Sequence, residues 1–277
     1  MRALAVRAFV GGEPVPALSP LDRGLAYGDG LFETMRLHAG QPVWWEAHVA
    51  RLAAGCRRLG LPMPDAGWLR GQLQALCAQA PQAGVARLTL TRGEGDRGYA
   101  PPEQPAPGMV LSLHPSPPAP PADGLNLRWC HTRLALQPAL AGLKHLNRLE
   151  QVLARREWND PDVHEGLMLD GDGLVVCATA ANLFAYVDGE WLTPPVDRCG
   201  VAGVCRGWLL AAGLAREARL RPETVEAAAA LFLCNAVRGI LPVRRLESRD
   251  WSAHPAVWAV RERLGREVPA FLERGPV

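Results

Sequence analysis

Lys144 is the only lysine in a chain with 30 basic residues, because every other basic residue is arginine. Arginine can supply positive charge wherever lysine does, but its guanidinium is too weakly acidic and too delocalised to form an imine with a carbonyl. A Schiff-base lysine is the one role that arginine cannot fill. Composition alone leaves an alternative open, in which Lys144 is a chance survivor of a drift from lysine to arginine.

Two segments place small residues where backbone N–H groups can approach an anion. DRCGVAGVCR, residues 197–206, leads into a helix predicted over about 203–216, and a helix N-terminus favours phosphate. CNAVRG, residues 234–239, is a predicted strand end followed by a tight turn. Each is equally compatible with an ordinary helix start or turn, but with an imine-forming lysine they suggest pyridoxal phosphate. The residues concerned are Gly200, Val201, Ala202, Gly203, Asn235 and Ala236.

The segment GEGDRG, residues 93–98, matches the dinucleotide-binding pattern G-x-G-x-x-G and follows a predicted strand. In a Rossmann unit this loop must open a helix that faces the pyrophosphate. Here it continues into YAPPEQPAPG, which is too rich in proline to be helical. We therefore predict a mobile glycine-rich loop that could close over a substrate.

The elements that must position these residues fall into two predicted domains. Apolar residues at helical spacing predict helices over 47–59 and 66–79, and VARLTLTR, residues 85–92, alternates like a half-buried strand. The proline-rich stretch at 116–123 predicts a semi-rigid linker. We expect a small α+β domain over 1–115 and a larger, strand-rich domain over 124–277, which contains a helix in LNRLEQVLARREW.

Composition narrows the class of protein. Hydrophobic residues make up 48% of the chain, enough for a substantial core, and no apolar run is long enough to span a membrane. The formal net charge of +2 is nearly balanced and the arginines alternate with acidic residues, so nucleic-acid binding has little support. Seven cysteines without C-x-x-C spacing fit neither a disulfide framework nor a zinc site. We expect a cytoplasmic globular protein without a metal.

Several segments, in order along the chain, resemble fold-type IV pyridoxal-phosphate enzymes of the class IV aminotransferase family. Within that class the resemblance is strongest to the 4-amino-4-deoxychorismate lyases, and KHLNRLEQVL is its most specific part. The resemblance implies a two-domain fold like that of the D-amino-acid and branched-chain aminotransferases, with a barrel-like larger domain, and a homodimer. The segments are DRGLAYGDGLFETMRL, HVARL, TRGEGDRGY, LAGLKHLNRLEQVLARRE, AANLF, DRCGVAGVCR and LCNAV.

The resemblance also implies roles for individual residues at the cofactor. Lys144 matches the lysine that forms the Schiff base and then moves protons, and Arg51 matches the arginine that pairs with the phosphate. The backbone of Val201, Ala202, Asn235 and Ala236 would complete the phosphate site. Arg148 lies near the position where the transaminases place a tyrosine beside the cofactor phenolate, although as a helix residue it could equally face solvent.

The substrate contacts implied are less specific, because a dicarboxylate substrate could use many of the arginines. The candidates are Thr34 and Arg36 near the start, and Arg97 and Tyr99 in the glycine-rich loop. Each could equally be an ordinary strand residue or an exposed loop residue.

Cys177 departs from the family pattern, which places a glutamate beside the pyridine nitrogen three residues before the A-A-N-L-F segment. A neutral thiol cannot supply the negative charge that keeps a pyridinium protonated. We therefore expect the cofactor to be a weaker electron sink in this chain, unless another carboxylate reaches the ring.

The predicted activity is a carbon–oxygen lyase that converts 4-amino-4-deoxychorismate to 4-aminobenzoate and pyruvate, a reaction of folate biosynthesis. Two alternatives remain open. One is a transaminase for D- or branched-chain amino acids, and the other is an inactive relative that keeps the cofactor pocket. Cys177 is the feature that points to the second alternative.

Overall fold

The computed structural model describes residues 2–272, which form two compact units. The first comprises residues 2–118 together with Leu143–Asn147, and the second comprises Ala119–Gly142 and the chain from Arg148 onward. The sequence prediction placed the Lys144 segment in the second domain, whereas its backbone contacts assign it to the first unit. No helix within residues 2–272 combines the length and apolar character needed to cross a membrane.

The first unit is built on a six-stranded antiparallel sheet with the order β2-β1-β6-β5-β3-β4. Its strands are β1 (Ala5–Val10), β2 (Glu13–Val15), β3 (Gly30–His38), β4 (Gln41–Pro42), β5 (Val85–Thr91) and β6 (Gly108–His114). Its helices are α1 (Arg23–Tyr27), α2 (Trp45–Leu59) and α3 (Ala66–Cys77).

Alternation along the central strands gives this sheet two different faces. In β5, Ala86, Leu88 and Leu90 are buried while Arg87 and Thr89 are only half-buried. The period of two is that of a strand with one face on a core. Helices α2 and α3 contribute Leu52, Leu69, Leu73 and other buried apolar residues to that core. The opposite, polar face is left to carry function.

The second unit is built on a nine-stranded mixed sheet with the order β12-β11-β10-β13-β14-β7-β8-β9, and β15 pairs with β14. Its strands are β7 (Leu125–Trp129), β8 (Glu165–Leu169), β9 (Val175–Ala178), β10 (Asn182–Val187), β11 (Glu190–Thr193), β12 (Arg216–Glu217), β13 (Ala230–Asn235), β14 (Gly239–Leu246) and β15 (Arg249–Asp250). Its helices are α4 (Leu149–Arg155), α5 (Val204–Ala211), α6 (Pro222–Ala227) and α7 (Pro255–Glu267), with a 3-10 turn at Pro269–Phe271.

This larger sheet curls towards closure. Val175 in edge strand β9 forms a bridge with Leu220, which follows the strand β12 at the other edge. Buried leucines and valines from β7, β8, β10, β13 and β14 meet in one apolar cluster inside the curl. The barrel-like character predicted for the larger domain is thereby confirmed.

Two predicted helix boundaries differ from the structure. The helix expected over 203–216 is the shorter α5, which begins at Val204. The helix expected in LNRLEQVLARREW begins only at Leu149. The preceding residues do not join it, because Phe32 N–H donates to the Lys144 carbonyl and Leu146 N–H donates to the Gly30 carbonyl. Tertiary pairing with β3 therefore overrides local helix propensity there.

Candidate active site

Lys144 is fixed to strand β3 through its backbone. The Lys144 carbonyl accepts a hydrogen bond from Phe32 N–H at 2.9 Å, and the next residue, His145, forms a bridge with Leu31. The side chain is half-buried, and its Nζ lies 4.3 Å from the ring centre of Phe32. An aromatic face attracts an ammonium group and limits the positions it samples. The sole lysine is therefore held at a defined place on the polar face of the sheet.

Arg51 is held by Glu33, which follows Phe32 in strand β3. Its Nε donates to Oε1 of Glu33 at 2.8 Å, and its Nη2 donates to Oε2. The imidazole Nδ1 of the buried His48 lies 2.6 Å from Oε2 of Glu33. Consecutive residues of β3, Phe32 and Glu33, thus position the predicted Schiff-base lysine and the predicted phosphate arginine.

The protonation states of this cluster follow from its burial. Burial alone would raise the pKa of Glu33, but the hydrogen bonds from His48 and Arg51 hold that pKa below its usual value. Burial lowers the pKa of His48, against the opposing effect of Glu33. We conclude that a neutral His48 donates its Nδ1 proton to a charged Glu33. Glu33 can then orient the guanidinium of Arg51 with two charge-assisted hydrogen bonds.

The predicted substrate residues Thr34 and Arg36 lie on the same face of β3 as Phe32, because residues two apart share a face. Arg87, opposite Thr34 in the neighbouring strand β5, shares this face, and its Cζ lies 4.3 Å from the centre of the Phe32 ring. Burial lowers the pKa of both Arg36 and Arg87. Arg87 was not among the residues predicted from the sequence, although its polar position in the alternation of VARLTLTR was the available signal.

Arg97 and Tyr99 lie on the glycine-rich loop that follows β5, and both side chains are exposed. The backbone around them is not loose, since the buried Arg23 donates hydrogen bonds to the carbonyls of Gly98, Tyr99 and Ala100. At this point of the loop that the sequence predicted to be mobile, three hydrogen bonds hold the backbone while the two side chains remain exposed.

In the second unit, Cys177 lies on β9 opposite Met168 of β8 and is buried. Burial raises the pKa of its thiol to about 12, with smaller contributions from Cys199 and Glu165 and an opposing one from Arg148. The thiol is therefore protonated and neutral near pH 7.

Glu165 is the carboxylate near Cys177, but it is already engaged. Its Oε1 accepts hydrogen bonds from Gly166 N–H at 2.9 Å, from Thr179 N–H at 3.2 Å and from the Thr179 hydroxyl. Burial nevertheless raises the pKa of Glu165. The carboxylate secures the turn after β9.

Arg148 occupies the N-cap position of α4 and is half-buried. Burial lowers the pKa of its guanidinium, while Cys177 and Glu150 oppose that shift. The side chain thus lies near Cys177 and is not fully in solvent, and its role beside the cofactor stays a prediction.

The two segments predicted to hold phosphate are each tied to the AANLF segment by an asparagine side chain. Asn182 Nδ2 donates to the Val201 carbonyl at 3.0 Å, and Asn235 Nδ2 donates to the Ala180 carbonyl at 3.3 Å. Asn235 Oδ1 also accepts from the backbone N–H groups of Val237 and Arg238 at 3.0 and 2.8 Å. Asn182 was not among the predicted site residues, although it is the asparagine of the AANLF segment.

The backbone N–H groups available to an anion at the start of α5 differ from those predicted. The N–H of Ala202 donates to the Gly142 carbonyl at 3.0 Å, so it is already used. Helix α5 begins at Val204, and its N-cap Gly203 provides no side-chain cap. The N–H groups of Val204 and Cys205 therefore have no intrahelical acceptor and are directed out of the helix end. The helix start predicted at about residue 203 lies within one residue of the observed start, and anion binding at this end stays a prediction.

Comparisons with known proteins agree with this geometry. A family model described as amino-transferase class IV matches residues 30–246. An aminodeoxychorismate lyase from Vibrio harveyi is 34% identical over 250 residues, which cover 87% of this chain and 92% of the relative. The crystal structure of 4-amino-4-deoxychorismate lyase from Pseudomonas aeruginosa is 47% identical, with a TM-score of 0.87 over 94% of this chain and 98% of that chain.

A more distant structure shares the fold. The branched-chain amino acid aminotransferase from Escherichia coli superposes with a TM-score of 0.81 at 20% identity, over 97% of this chain and 96% of that chain. The span matched by the family model includes Lys144, Arg51 and both phosphate-holder segments. The resemblance and the fold class predicted from sequence are confirmed, and the chain belongs to the class IV aminotransferase family.

Proposed function

We propose that this chain is a pyridoxal-phosphate-dependent lyase that converts 4-amino-4-deoxychorismate to 4-aminobenzoate and pyruvate. The observation that carries the proposal is that strand β3 holds Lys144 at Phe32 and Arg51 at Glu33, and that both cations act on the same buried residue, since each lowers the pKa of His48. The relatives from Vibrio harveyi and Pseudomonas aeruginosa bear the name of this activity.

The residues of each unit suit part of the cofactor. In the first unit, Lys144 would offer the amine for its aldehyde and Arg51 a fork of donors for its phosphate. In the second unit, the N-terminus of α5 would offer the N–H groups of Val204 and Cys205 to a phosphate. When bound, pyridoxal phosphate stabilises negative charge at the carbon that bears the substrate amine. Arg148 and Cys177 are proposed neighbours of its ring.

Lys144 is the proposed acid–base group. Its neutral Nζ takes the proton from the ring carbon that bears the amine, and the C–O bond to the enolpyruvyl oxygen then breaks. The leaving group departs as the enolate of pyruvate, and one proton added at its carbon, balancing the one that Lys144 removed, converts it to pyruvate. Loss of the proton and of this oxygen makes the carbocycle aromatic, which drives the reaction forward. Phe32 limits the positions that Nζ can sample.

Substrate binding is assigned to the polar face of the first unit. Thr34 and Arg36 lie on it, and we add Arg87 to the residues proposed from the sequence. A bound carboxylate offsets the cost of burying guanidinium groups, which is a reason to find half-buried arginines here. Arg97 and Tyr99 remain the proposed contacts from the loop.

A neutral Cys177 bears on the choice between lyase and transaminase. A transaminase must hold negative charge long enough to reprotonate it at the cofactor, whereas this lyase expels a leaving group from the adjacent carbon. We propose that elimination tolerates a weaker electron sink, so that the thiol is compatible with lyase activity.

We also propose a cytoplasmic homodimer. Helix α4 exposes the apolar side chains of Leu149, Val152 and Leu153, with 75%, 52% and 49% of their surface accessible. Such a patch is typical of a protein–protein contact. All seven cysteines are free, which suits a reducing compartment. Light scattering coupled to gel filtration would test the dimer.

The decisive experiment mixes cofactor-loaded protein with enzymatically generated 4-amino-4-deoxychorismate and measures 4-aminobenzoate and pyruvate together. Equimolar products that disappear in Lys144→Ala are expected. Lys144→Arg is the matched control, because it keeps a cation beside Phe32 but cannot form an imine. A cofactor spectrum that changes with D-alanine, without these products, would identify a transaminase. Cofactor binding without turnover of any amine would identify an inactive relative.

A further inference from the structure

We propose that Arg23 is a positioning residue that fixes the glycine-rich loop, residues 93–107, in the conformation in which Arg97 and Tyr99 contact the substrate. This inference rests on the proposed function for the identity of the substrate. The sequence segments DRGLAYGDG and TRGEGDRGY, which are far apart along the chain, meet at this side chain.

Arg23 binds three consecutive carbonyls of the loop. Its Nη1 donates to Gly98 at 3.1 Å and to Ala100 at 3.2 Å, and its Nη2 donates to Tyr99 at 2.9 Å. The residue is only 4% exposed. Three bonds from one planar group to successive carbonyls restrict the backbone on both sides of Tyr99.

The base of the loop is joined to the helix that Arg23 begins. The N–H of Arg23 donates to the Gly93 carbonyl at 2.8 Å. Asp22 caps the same helix by accepting from Gly24 N–H at 2.7 Å, and its other oxygen accepts from the Thr91 hydroxyl at 2.7 Å. Helix α1 is therefore attached to the base of the loop independently of the Arg23 side chain.

Close packing surrounds the Arg23 side chain. A Cβ built on Gly95 would lie 2.8 Å from Cδ of Arg23, so a larger residue there would displace it. The guanidinium carbon lies 4.9 Å from the ring centre of Tyr27, and the rings of Tyr27 and Tyr99 are 5.4 Å apart. The loop backbone and one loop side chain thus contact the same group.

A second arginine connects this arrangement to helix α2. Nε of Arg23 bonds Oδ2 of Asp29 at 3.0 Å, and Nε of Arg92 bonds the same oxygen at 2.7 Å. Arg92 also donates to the carbonyls of Leu59 and Gly60 at the end of α2, at 2.9 and 2.8 Å. The loop is therefore braced against the helix that carries the proposed phosphate residue.

Loss of the Arg23 contacts should affect substrate binding more than the chemical step. A loop without the Arg23 contacts would sample many conformations, and ordering it on binding would cost conformational entropy. The contact between Lys144 and Phe32 would be unaffected, so the rate of the chemical step should remain. Loss of Arg23 should therefore raise KM and leave kcat nearly unchanged.

The test compares Arg23→Gln and Arg23→Lys with the wild-type holoenzyme. We expect KM to rise about tenfold in Arg23→Gln with kcat within about twofold. Native-state trypsin cleavage after Arg97, mapped by mass spectrometry, should accelerate by a similar factor. Arg23→Lys, which keeps the charge but replaces the planar fork of donors by one compact ammonium group, should give an intermediate result. Arg128→Ala is the control, because Arg128 also donates to two backbone carbonyls but lies in the second unit.

A double-variant background separates loop positioning by Arg23 from a general loss of structure. In an Arg97→Gln, Tyr99→Phe background, adding Arg23→Gln should raise KM much less than it does in the wild type. Unchanged KM and unchanged cleavage in both Arg23 variants would overturn the inference. A wild-type protein without lyase products would overturn the proposed function instead, and the cleavage rate after Arg97 would still decide whether Arg23 fixes the loop.

Discussion

Arg51 and Glu33 form a two-point ion pair in which Nε and Nη2 of the arginine donate to separate oxygens of the carboxylate. Glu33 is almost fully buried, whereas the Arg51 side chain is 13% exposed. The buried partner therefore sets the orientation of the accessible one. Under the proposed function, an arginine oriented in this way is prepared for the cofactor phosphate before binding.

Replacing Glu33 with glutamine should weaken cofactor binding by about tenfold, because the amide turns one acceptor into a donor that opposes the guanidinium. The measurement is a titration of apoprotein with pyridoxal phosphate, followed by absorbance. Glu46→Gln is the matched control, since Glu46 is exposed and its ion pair with Arg70 is long, at 3.5 Å. Equal affinities in the two variants would contradict an orienting role for Glu33.

His48 should make the fold sensitive to mild acid. Burial lowers its pKa in the folded state below the usual 6.5, so the unfolded chain takes up this proton more readily. Stability is then complete above pH 6.5 and declines as the pH falls below it. His48→Gln should flatten the dependence of the urea midpoint on pH between about 6.5 and 5.

Replacement of the exposed His38 by glutamine serves as the control for this experiment. Glu33 affects stability in a separate, lower range of pH. Its pKa is depressed in the folded state, so its contribution is present above pH 4.5 and is lost as the pH falls below that value. A decline that persists unchanged in His48→Gln between pH 6.5 and 5 would assign the acid sensitivity to another group.

Borohydride reduction of the holoprotein should attach the cofactor to Lys144. The chain has no other lysine, so a labelled peptide away from residue 144 could arise only from the terminal amine. Peptide mapping should therefore recover one labelled site, and Lys144→Arg should recover none. A labelled wild-type protein whose tag lies elsewhere would refute the assignment of the Schiff-base residue.

Arg87→Gln should raise the KM for 4-amino-4-deoxychorismate by about tenfold, with a smaller change in kcat, because it removes one guanidinium from the polar face that Thr34 and Arg36 share. Steady-state kinetics with a continuous pyruvate assay would measure both constants. Arg244→Gln removes an exposed arginine paired with Asp123 and should change neither. If both variants behave alike, Arg87 does not contact the substrate.

Cys177→Glu should alter lyase turnover by less than about tenfold, since elimination is proposed to need only a modest electron sink. The variant also inserts a carboxyl at a buried site, so we expect a lower melting temperature. Turnover should be compared with Cys177→Ser, which keeps the size of the side chain, at equal cofactor occupancy. An increase in turnover of several orders of magnitude would show that the tolerance assumed for the thiol is wrong.

The sequence indicated the family through one unusual residue and one specific segment. A sole lysine among arginines and the KHLNRLEQVL segment indicated the family, since imine formation requires a primary amine whatever the fold. Alternation in VARLTLTR likewise predicted β5, because the side-chain period of a strand is a local property. The helices α2 and α3 were also close to their predicted bounds, as their apolar spacing was regular.

Only the tertiary structure decided which residues meet. Backbone bonds to β3 keep Lys144 out of the helix that its neighbours favour, and bonds from Arg23 fix a loop whose glycines predicted mobility. The placement of Arg87 and the use of the Ala202 N–H by Gly142 could not be predicted from spacing either. The physical reason is that such contacts join residues distant in sequence, and the free energy of each depends on burial and geometry that local propensity does not encode.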